Sequence, residues 1–273
     1  MLATFKKYTL LWGGAAILSI TGCTADKNGD RLIFTIEDDI SLGARVAGQV
    51  DSTYQAKGQL LDPASPQNKA AYDHLNRIVN RILNSGQVAY RSEFAWDTKI
   101  IKDDNVLNAF ATPGGHIYVF SGLIKYLDNE DQFAGVMGHE IAHADQRHST
   151  KQLQRQYGLS VILSVALGNN PGTLTQIAAN LATLSFDRNA EREADEYSVI
   201  YLSGTKYYAC NGAAGFFEKI LQEGQQGRTP EFLSTHPDPG NRVEAINTKA
   251  QALNCSTTPA GGTTYQDFKR SLN

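Results

Sequence analysis

One short stretch, the H-E-x-x-H motif at residues 139–143, could activate water on a metal ion. Positions four apart lie on one face of a helix, so His139 and His143 can point their imidazoles at a single ion. Glu140 lies beside them, where its carboxylate can take a proton from a metal-bound water. The alternative is a chance match on a charged helix, and a third ligand would argue against it.

A pair of carboxylates further along the chain can supply that ligand. Glu191 and Asp195 are again four residues apart, so one can bind the ion while the other accepts the free N–H of a ligating histidine. Two histidines, one carboxylate and a water form an open, catalytic zinc site rather than a closed, structural one. We therefore expect one Zn²⁺ per chain.

Helices must position these residues. Apolar side chains around the H-E-x-x-H motif recur at helical spacing, and the polar run 128–131 is typical of a helix cap, so we expect one long helix that runs to about Gln156. His148 lies five positions past His143 on that helix, away from the metal-facing side, and we interpret it as structural. The Glu191 helix should run to about Leu202.

The composition argues against one class of partner. The chain has 273 residues, of which 41% are hydrophobic, a net charge of -3 and a sequence pI near 6.1. It has no basic stripe with interleaved aromatic residues, so we expect no nucleic-acid partner. Its length allows one sizeable core or two small ones.

The N-terminus has the pattern of a secretory signal. Lys6 and Lys7 precede an apolar run at 10–20 that is too short to span a bilayer, and the run leads to Cys23 through Thr21 and Gly22. The last four residues of this pattern, 20–23, resemble a bacterial lipobox. We expect a signal peptide at 1–22 and a lipid on Cys23 that contacts the membrane, followed by a tether at 23–38; the alternative is an ordinary signal peptide with an incidental cysteine. Thr24 favours sorting to the outer membrane, with the body in the periplasm.

The two remaining cysteines, Cys210 and Cys255, form an even pair in an oxidising compartment, so we expect a disulfide between them. Free buried thiols are the alternative. We place the catalytic domain at 39–255 and expect the Thr- and Gly-rich tail at 256–273 to be disordered.

The predicted fold is α+β and mostly helical, with a small sheet. A strand is expected over 94–101, and the stretch 108–120 has the pattern of two strands around a Pro-Gly-Gly turn. The second strand would be an edge beside the zinc that pairs with an extended substrate. Its residues are Gly115, His116, Ile117, Tyr118 and Val119. A plain structural hairpin is the alternative. The apolar segments 158–167 and 174–184 would be core helices or a lid over the cleft.

Four motifs of the chain, in their order along the sequence, resemble those of a known family. They lie at 108–115, at 139–143, at 191–195, and at 234–237 with Arg242. The chain resembles the zinc metallopeptidases that include the CAAX prenyl endopeptidases, the HtpX heat-shock proteases and the BepA-like periplasmic proteases, chiefly their small, single-domain lipoprotein members.

The resemblance implies a gluzincin fold with Glu191 as the third zinc ligand and Asp195 beside it. It also implies that His236 lies near the metal, either as a stabiliser of the oxyanion or as a plug of the open zinc position, with Arg242 bracing the site. The chain lacks the membrane spans of some relatives and the C-terminal repeat domain of BepA. Partners in outer-membrane assembly are therefore not supported by the sequence.

The expected function is zinc-dependent endoproteolysis of unfolded or misassembled cell-envelope proteins. A second hypothesis is a chaperone-like lipoprotein that keeps zinc for stability and binds clients without cleaving them. A third is a metallohydrolase that acts on peptidoglycan or small peptides. Glu140 argues against the second hypothesis, because a purely structural zinc site needs no general base.

Overall fold

A computed structural model of the chain describes residues 34–224, 231–237, 241–258 and 264–273. The expected signal peptide and the lipidated Cys23 lie outside these residues and stay predictions. Within the described residues, no helix is both long enough and apolar enough to cross a membrane.

The described residues form helices around one small sheet. In chain order these elements are α1 (Ile36–Ala56), α2 (Lys69–Leu83), β1 (Thr98–Ile101), β2 (Ala109–Ala111), β3 (Ile117–Phe120), α3 (Ser121–Tyr126), α4 (Glu130–Asp145), α5 (His148–Tyr157), α6 (Leu159–Ala166), α7 (Pro171–Asn180), α8 (Arg188–Thr205), α9 (Gly212–Gly224), α10 (Phe232–Thr235), α11 (Arg242–Ala252) and α12 (Thr264–Arg270). The expected class, mostly helical α+β, is confirmed.

The sheet places β3 in its centre. The strand order is β1-β3-β2, with β3 parallel to β1 and antiparallel to β2. The predicted pair of strands around a Pro-Gly-Gly turn is therefore correct, because β2 and β3 flank a 3₁₀ turn at Pro113–Gly115. The prediction of β3 as the edge strand was wrong. Both edges of β3 pair with other strands, and β2 lies at the end of the sheet instead.

The H-E-x-x-H helix, α4, is the buried centre of the helical layer. It packs against both α8 and α9. Close approach to α9 requires glycine, because a Cβ added at Gly135 would lie 2.1 Å from the backbone nitrogen of Ala213. The hydroxyl of Ser198 on α8 donates to the carbonyl of Gly135 at 2.8 Å. These contacts fix α4 relative to both neighbours.

The α4 helix ends eleven residues before the predicted end at Gln156, since Asp145 is its last residue. Arg147 adopts a left-handed conformation (φ 60°, ψ 30°), and a separate helix, α5, begins at His148. The side chain of Arg147 pairs with the buried Asp39 of α1, and its Nη2 donates to the carbonyl of Thr35 at 2.9 Å. Thr150 donates to the other oxygen of Asp39 at 2.5 Å. A contact with α1 therefore holds the turn between α4 and α5.

The two apolar segments after Gly158 form α6 and α7, which pack against α1. Ile162, Val165 and Ile177 are buried, whereas Leu167 at the tip between the helices is 75% exposed. The core-helix alternative therefore describes α6 and α7 better than the lid alternative. The residues that follow α7 contact the candidate site and are described below.

Two of the predicted boundaries were wrong. The α1 helix begins at Ile36, inside the expected tether, with a capping box between Thr35 and Asp38. The expected disordered tail contains α12, which packs against α2. Phe268 is buried there and stacks on His74 with ring centroids 5.5 Å apart. Tyr265, Phe268 and Leu272 form the buried face of this segment. The prediction of disorder rested on the Thr- and Gly-rich composition and did not take these three residues into account.

A disulfide joins Cys210 to Cys255, as the cysteine pattern predicted. Cys210 lies just before α9, and Cys255 follows α11. The bond therefore links the two ends of the segment that contains α9, α10 and α11.

The packing of α12 against α2 predicts that this helix contributes to the stability of the fold. Phe268→Ala should lower the free energy of unfolding by about 3–5 kcal/mol, because a fully buried aromatic side chain is removed from the core. Gln266→Ala, at an exposed position of the same helix, should change it by less than about 0.5 kcal/mol. Urea denaturation followed by circular dichroism measures both, and equal effects would mean that α12 contributes no core.

Candidate active site

The α4 helix supplies His139, Glu140 and His143. The helix begins after Asn129, whose side chain accepts from the backbone N–H of Gln132 at 2.9 Å. All three motif side chains are almost completely buried. The Nε2 atoms of His139 and His143 lie 3.0 Å apart, so the two imidazoles converge as the four-residue spacing predicts.

The α8 helix brings both predicted carboxylates to these histidines. Asp187 caps the helix by accepting from the backbone N–H groups of residues 189 and 190. Glu191 Oε2 lies 3.4 Å from His139 Nε2, and its Oε1 lies 3.5 Å from His143 Nε2. Asp195 Oδ1 lies 2.9 Å from the other nitrogen of His139, Nδ1. Glu191 thus faces the side of the imidazoles where an ion would bind, and Asp195 faces the opposite side of one ring.

His236 directly after α10 and Arg242 at the start of α11 complete the site. His236 Nδ1 lies 3.1 Å from Glu191 Oε1 and 3.3 Å from His139 Nε2. Arg242 binds Asp195 through two hydrogen bonds of 2.8 and 2.6 Å, and it donates to the carbonyl of His236 at 3.3 Å. Arg242 Nη2 also lies 3.2 Å from Glu191 Oε2. The structure therefore brings together every predicted site residue of these four motifs except the strand residues.

Four of these side chains have the geometry of a metal site. His139, His143, Glu191 and His236 each offer one ligand atom, and all four atoms lie within 4.8 Å of one another. Neighbouring donor atoms are 3.0 to 3.5 Å apart. Tetrahedral ligands at zinc distances would be separated by about 3.3–3.6 Å. The donor set therefore fits Zn²⁺.

Glu140 lies beside this set without binding to it. Its Oε1 is 3.5 Å from His236 Nε2. Within the described residues, neither of its buried oxygens has a hydrogen-bond partner. A buried carboxylate in this state is costly unless a water or a substrate group donates to it, so the site can hold a donor between Glu140 and the metal ligands.

Burial and hydrogen bonding set the charges of the metal-free site. Burial alone would lower the pKa of His139, but its bonds to Asp195 and Glu191 raise that pKa to about 9. Burial lowers the pKa of His143 well below its usual value and raises the pKa of Glu140. Burial opposes ionisation of Glu191, yet the charge of His236 and the neighbouring histidine bonds hold its pKa far below the usual range. A metal ion must therefore displace a proton from His139.

Two phenylalanines that the sequence analysis did not assign to the site cover the histidines. Phe186 stacks on His143 with centroids 4.0 Å apart, and Phe232 stacks on His236 at 4.2 Å. The backbone N–H of Phe186 donates to the carbonyl of Thr235 at 3.2 Å. Phe186 lies in the segment before α8 and Phe232 begins the four-residue helix α10. Neither stretch is long enough to show a periodic pattern that would mark these side chains as part of a site.

The residues predicted to form the substrate-binding edge lie in a turn and in the central strand instead. Gly115 ends the 3₁₀ turn, His116 follows it, and the other three, Ile117, Tyr118 and Val119, belong to the central strand β3. The hydroxyl of Tyr118 bonds to α1, through the carbonyl of Ala47 at 3.1 Å and Asp51 at 2.9 Å. The strand that packs against α4 is β2.

The raised pKa of His139 predicts how metal affinity depends on pH. Since one proton leaves His139 on binding, the Kd for Zn²⁺ should fall about tenfold per pH unit between about pH 6.5 and 8.5 and level off near pH 9. Asp195→Asn removes the carboxylate that raises this pKa, so its curve should level off at a lower pH. Titrations against a chelating dye measure both curves. A Kd that does not change with pH, or the same plateau in Asp195→Asn, would contradict the assignment.

Known proteins with similar sequences agree with this geometry. The profile of peptidase family M48 matches residues 69–250. The mitochondrial metalloendopeptidase OMA1 of Schizosaccharomyces pombe is 30% identical over 213 residues, which are 77% of this chain and 62% of that protein. The beta-barrel assembly-enhancing protease of Escherichia coli K12 is 32% identical over 168 residues, 56% of this chain and 34% of that protein.

The chain therefore spans less than two thirds of the length of either relative. The family profile, in contrast, covers most of the chain and includes every element that contributes a donor atom. On that match and on the His, His and Glu ligand set, the chain belongs to peptidase family M48, a family of metallopeptidases.

Proposed function

We propose that the protein is a zinc-dependent endopeptidase that cleaves unfolded or misassembled proteins of the cell envelope. The observation that carries the proposal is the convergence of four donor atoms within 4.8 Å of one another, with the carboxylate of Glu140 beside them. A bound Zn²⁺ would supply a Lewis acid that polarises the scissile carbonyl and makes the attacking water more acidic.

Proton transfer in this mechanism is carried out by Glu140, and neighbouring residues hold the metal ligands in place. Glu140 takes a proton from the attacking water as the new C–O bond forms, and it gives that proton to the leaving amine as the C–N bond breaks. Burial raises the pKa of Glu140, which makes the carboxylate a better base for the first transfer. Asp195 holds His139 by its Nδ1 atom, and Arg242 balances the charge of Asp195 and Glu191.

The site in this structure is closed, and we propose that the closed state is latent. His236 is the fourth donor, in the position that an open catalytic site leaves to water. This geometry supports the role of a plug over that of an oxyanion stabiliser, because Nδ1 of His236 points into the donor set.

A substrate would reach the site along β2 rather than β3. The β2 strand lies at one end of the sheet, and it packs against the α4 helix that carries the metal ligands. The segment 181–186 now lies beside this strand, where the side chain of Asn108 donates to the carbonyl of Ala182 at 2.9 Å. We propose that an extended substrate pairs with β2 after this segment moves away.

The substrate class and the location rest on other observations. The lipobox-like sequence that ends at Cys23 supports a lipid-anchored protein in the periplasm, and Thr24 supports the outer membrane. The E. coli relative is named for the assembly of β-barrels, whereas the yeast relative is named for mitochondria. The relatives therefore support the reaction, and the sequence signal supports the compartment.

A chaperone-like protein that keeps zinc for stability is the second candidate. One observation favours it, since four protein donors complete a tetrahedral shell and such closed sites are typical of structural zinc. A chaperone does not cleave its client and therefore needs no general base. The peptidase requires the carboxylate of Glu140, whereas the chaperone does not.

A single substitution separates the two candidates. Glu140→Gln should reduce the cleavage of an unfolded protein substrate by about 10²–10⁴-fold while zinc stays near one per chain, because only the proton transfer is lost. Glu218→Gln, an exposed change on α9, should cleave like the wild type. Cleavage that persists in Glu140→Gln would contradict the mechanism. No cleavage by any zinc-loaded form would favour the chaperone, unless removal of the plug restores activity.

The plug is tested in the same assay. His236→Ala should raise cleavage by about tenfold or more, since a closed state that dominates by ~1.4 kcal/mol lowers the rate by that factor. An oxyanion stabiliser predicts the opposite result, a loss of about 10²–10³-fold. His74→Ala serves as a control at a histidine outside the site. Zinc content must be measured for each variant, so that lost metal is not mistaken for lost chemistry.

A further inference from the structure

The second metal-facing histidine, His143, has a hydrogen-bond partner that the proposed mechanism does not use. Its Nδ1 atom lies 3.0 Å from Nδ1 of His148, the first residue of α5. The other nitrogen of His148, Nε2, lies 3.2 Å from Oε2 of Glu193. His148 is 2% exposed. The three side chains therefore form a chain of contacts that starts at the buried His143 and ends at the half-buried carboxylate of Glu193 on α8.

With a neutral His148 and an ionised Glu193, hydrogen-bond chemistry allows one arrangement of protons along this chain. An ionised carboxylate only accepts, so His148 carries its proton on Nε2 and directs it to Glu193. Nδ1 of neutral His148 is then an acceptor, and the proton between the two Nδ1 atoms belongs to His143. His143 is left without a proton on Nε2, the atom that lies 3.0 Å from His139 Nε2 in the donor set.

The arrangement parallels the one at His139. There the Nδ1 atom reaches Asp195 directly, at 2.9 Å. His143 reaches Glu193 only through the ring of His148. Each of two α4 histidines is thus linked to a carboxylate of α8. Asp195 contacts His139 directly, whereas Glu193 is linked to His143 through the ring of His148.

We propose that His148 and Glu193 are positioning residues that fix the tautomer and the ring orientation of His143, and thereby set the metal affinity of the site. The inference rests on the proposed function, because it assumes that His143 binds the metal. Partners of this kind raise the basicity of a ligating histidine, and their loss weakens metal binding.

The turn after α4 explains why His148 can reach His143. On a continuous helix, a residue five positions later points about 140° away. The left-handed conformation of Arg147 breaks the helix and turns His148 back towards α4. The pairing of Arg147 with Asp39 holds that turn. The sequence prediction placed His148 correctly off the metal-facing side of the helix. It did not predict the contact between His148 and Nδ1 of His143, the ring nitrogen that faces away from the other donor atoms.

The alternative role for His148 is packing alone. Its ring lies 5.0 Å from that of His143 and 6.4 Å from that of Phe186, measured between centroids. Phenylalanine would fill much of the same space but cannot accept a hydrogen bond. Asparagine is smaller, yet its Oδ1 can take the place of Nδ1 as the acceptor. The two substitutions therefore separate packing from hydrogen bonding.

The experiment measures the Kd for Zn²⁺ of the full chain by competition with a chelating dye. His148→Phe should weaken binding by about 10–100-fold, because the N–H of His143 loses its acceptor. His148→Asn should recover most of this loss. His74→Phe, the same substitution outside the site, should bind zinc like the wild type. Nitrogen NMR of the metal-free proteins should place the proton of His143 on Nδ1 in the wild type and in His148→Asn, but not in His148→Phe.

A second pair of variants covers the case that His148→Phe does not fold. Glu193 is only half-buried, so the fold should tolerate Glu193→Leu, which removes the final acceptor, and Glu193→Gln, which keeps one. Glu193→Leu should weaken zinc binding clearly more than Glu193→Gln. Equal Kd values within this pair would then overturn the proposal.

The outcomes also separate the inference from the proposed function. If the wild type binds zinc and cleaves its substrate, but His148→Phe binds zinc equally well, the positioning role is wrong and the peptidase stands. The role is also wrong if His148→Asn binds no better than His148→Phe, because packing would then explain the loss. A wild type that binds no zinc overturns both proposals.

Discussion

The burial of Glu191 is the constraint on which the arrangement of the helices depends. Its carboxylate is completely buried and ionised, with a pKa held far below the usual range. An unpaired charge at such a depth costs several kcal/mol, so each neighbouring element must supply compensation. The α4 helix contributes two histidines, the segment before α11 contributes His236, and α11 itself contributes Arg242. Each of these elements therefore contributes part of the compensation for the buried charge of Glu191.

This constraint demands a close approach between helices, which explains the glycines of α4. A Cβ at Gly138 would lie 2.9 Å from the hydroxyl of Ser198 on α8, and one at Gly135 would meet the backbone of α9. Glycine inside a helix costs about 1 kcal/mol relative to alanine. The cost is tolerated at Gly138 because the donor atoms of α4 and α8, which lie 3.4 and 3.5 Å apart, require the two helices to pack closely.

The parts of the site that depend on local spacing could be predicted, and the parts that depend on distant contacts could not. The pairs His139 with His143 and Glu191 with Asp195 each follow from the helical repeat alone. The order of the strands is different, because the pattern of β3 does not reveal that β1 pairs with its second edge. The early end of α4 depends on Asp39, 108 residues before Arg147, and no local signal marks that pairing.

The closed site places a condition on how a substrate can enter. The segment that carries Phe186 and the segment that carries His236 are joined by the hydrogen bond from the N–H of Phe186 to the carbonyl of Thr235. The first covers His143 and lies beside β2, and the second provides the fourth donor. Withdrawal of His236 would therefore break or carry with it the cover over β2. Exposure of the strand edge and opening of the metal position would then be coupled. In the binding mode that we propose, a substrate paired with β2 would also free the position where water must bind.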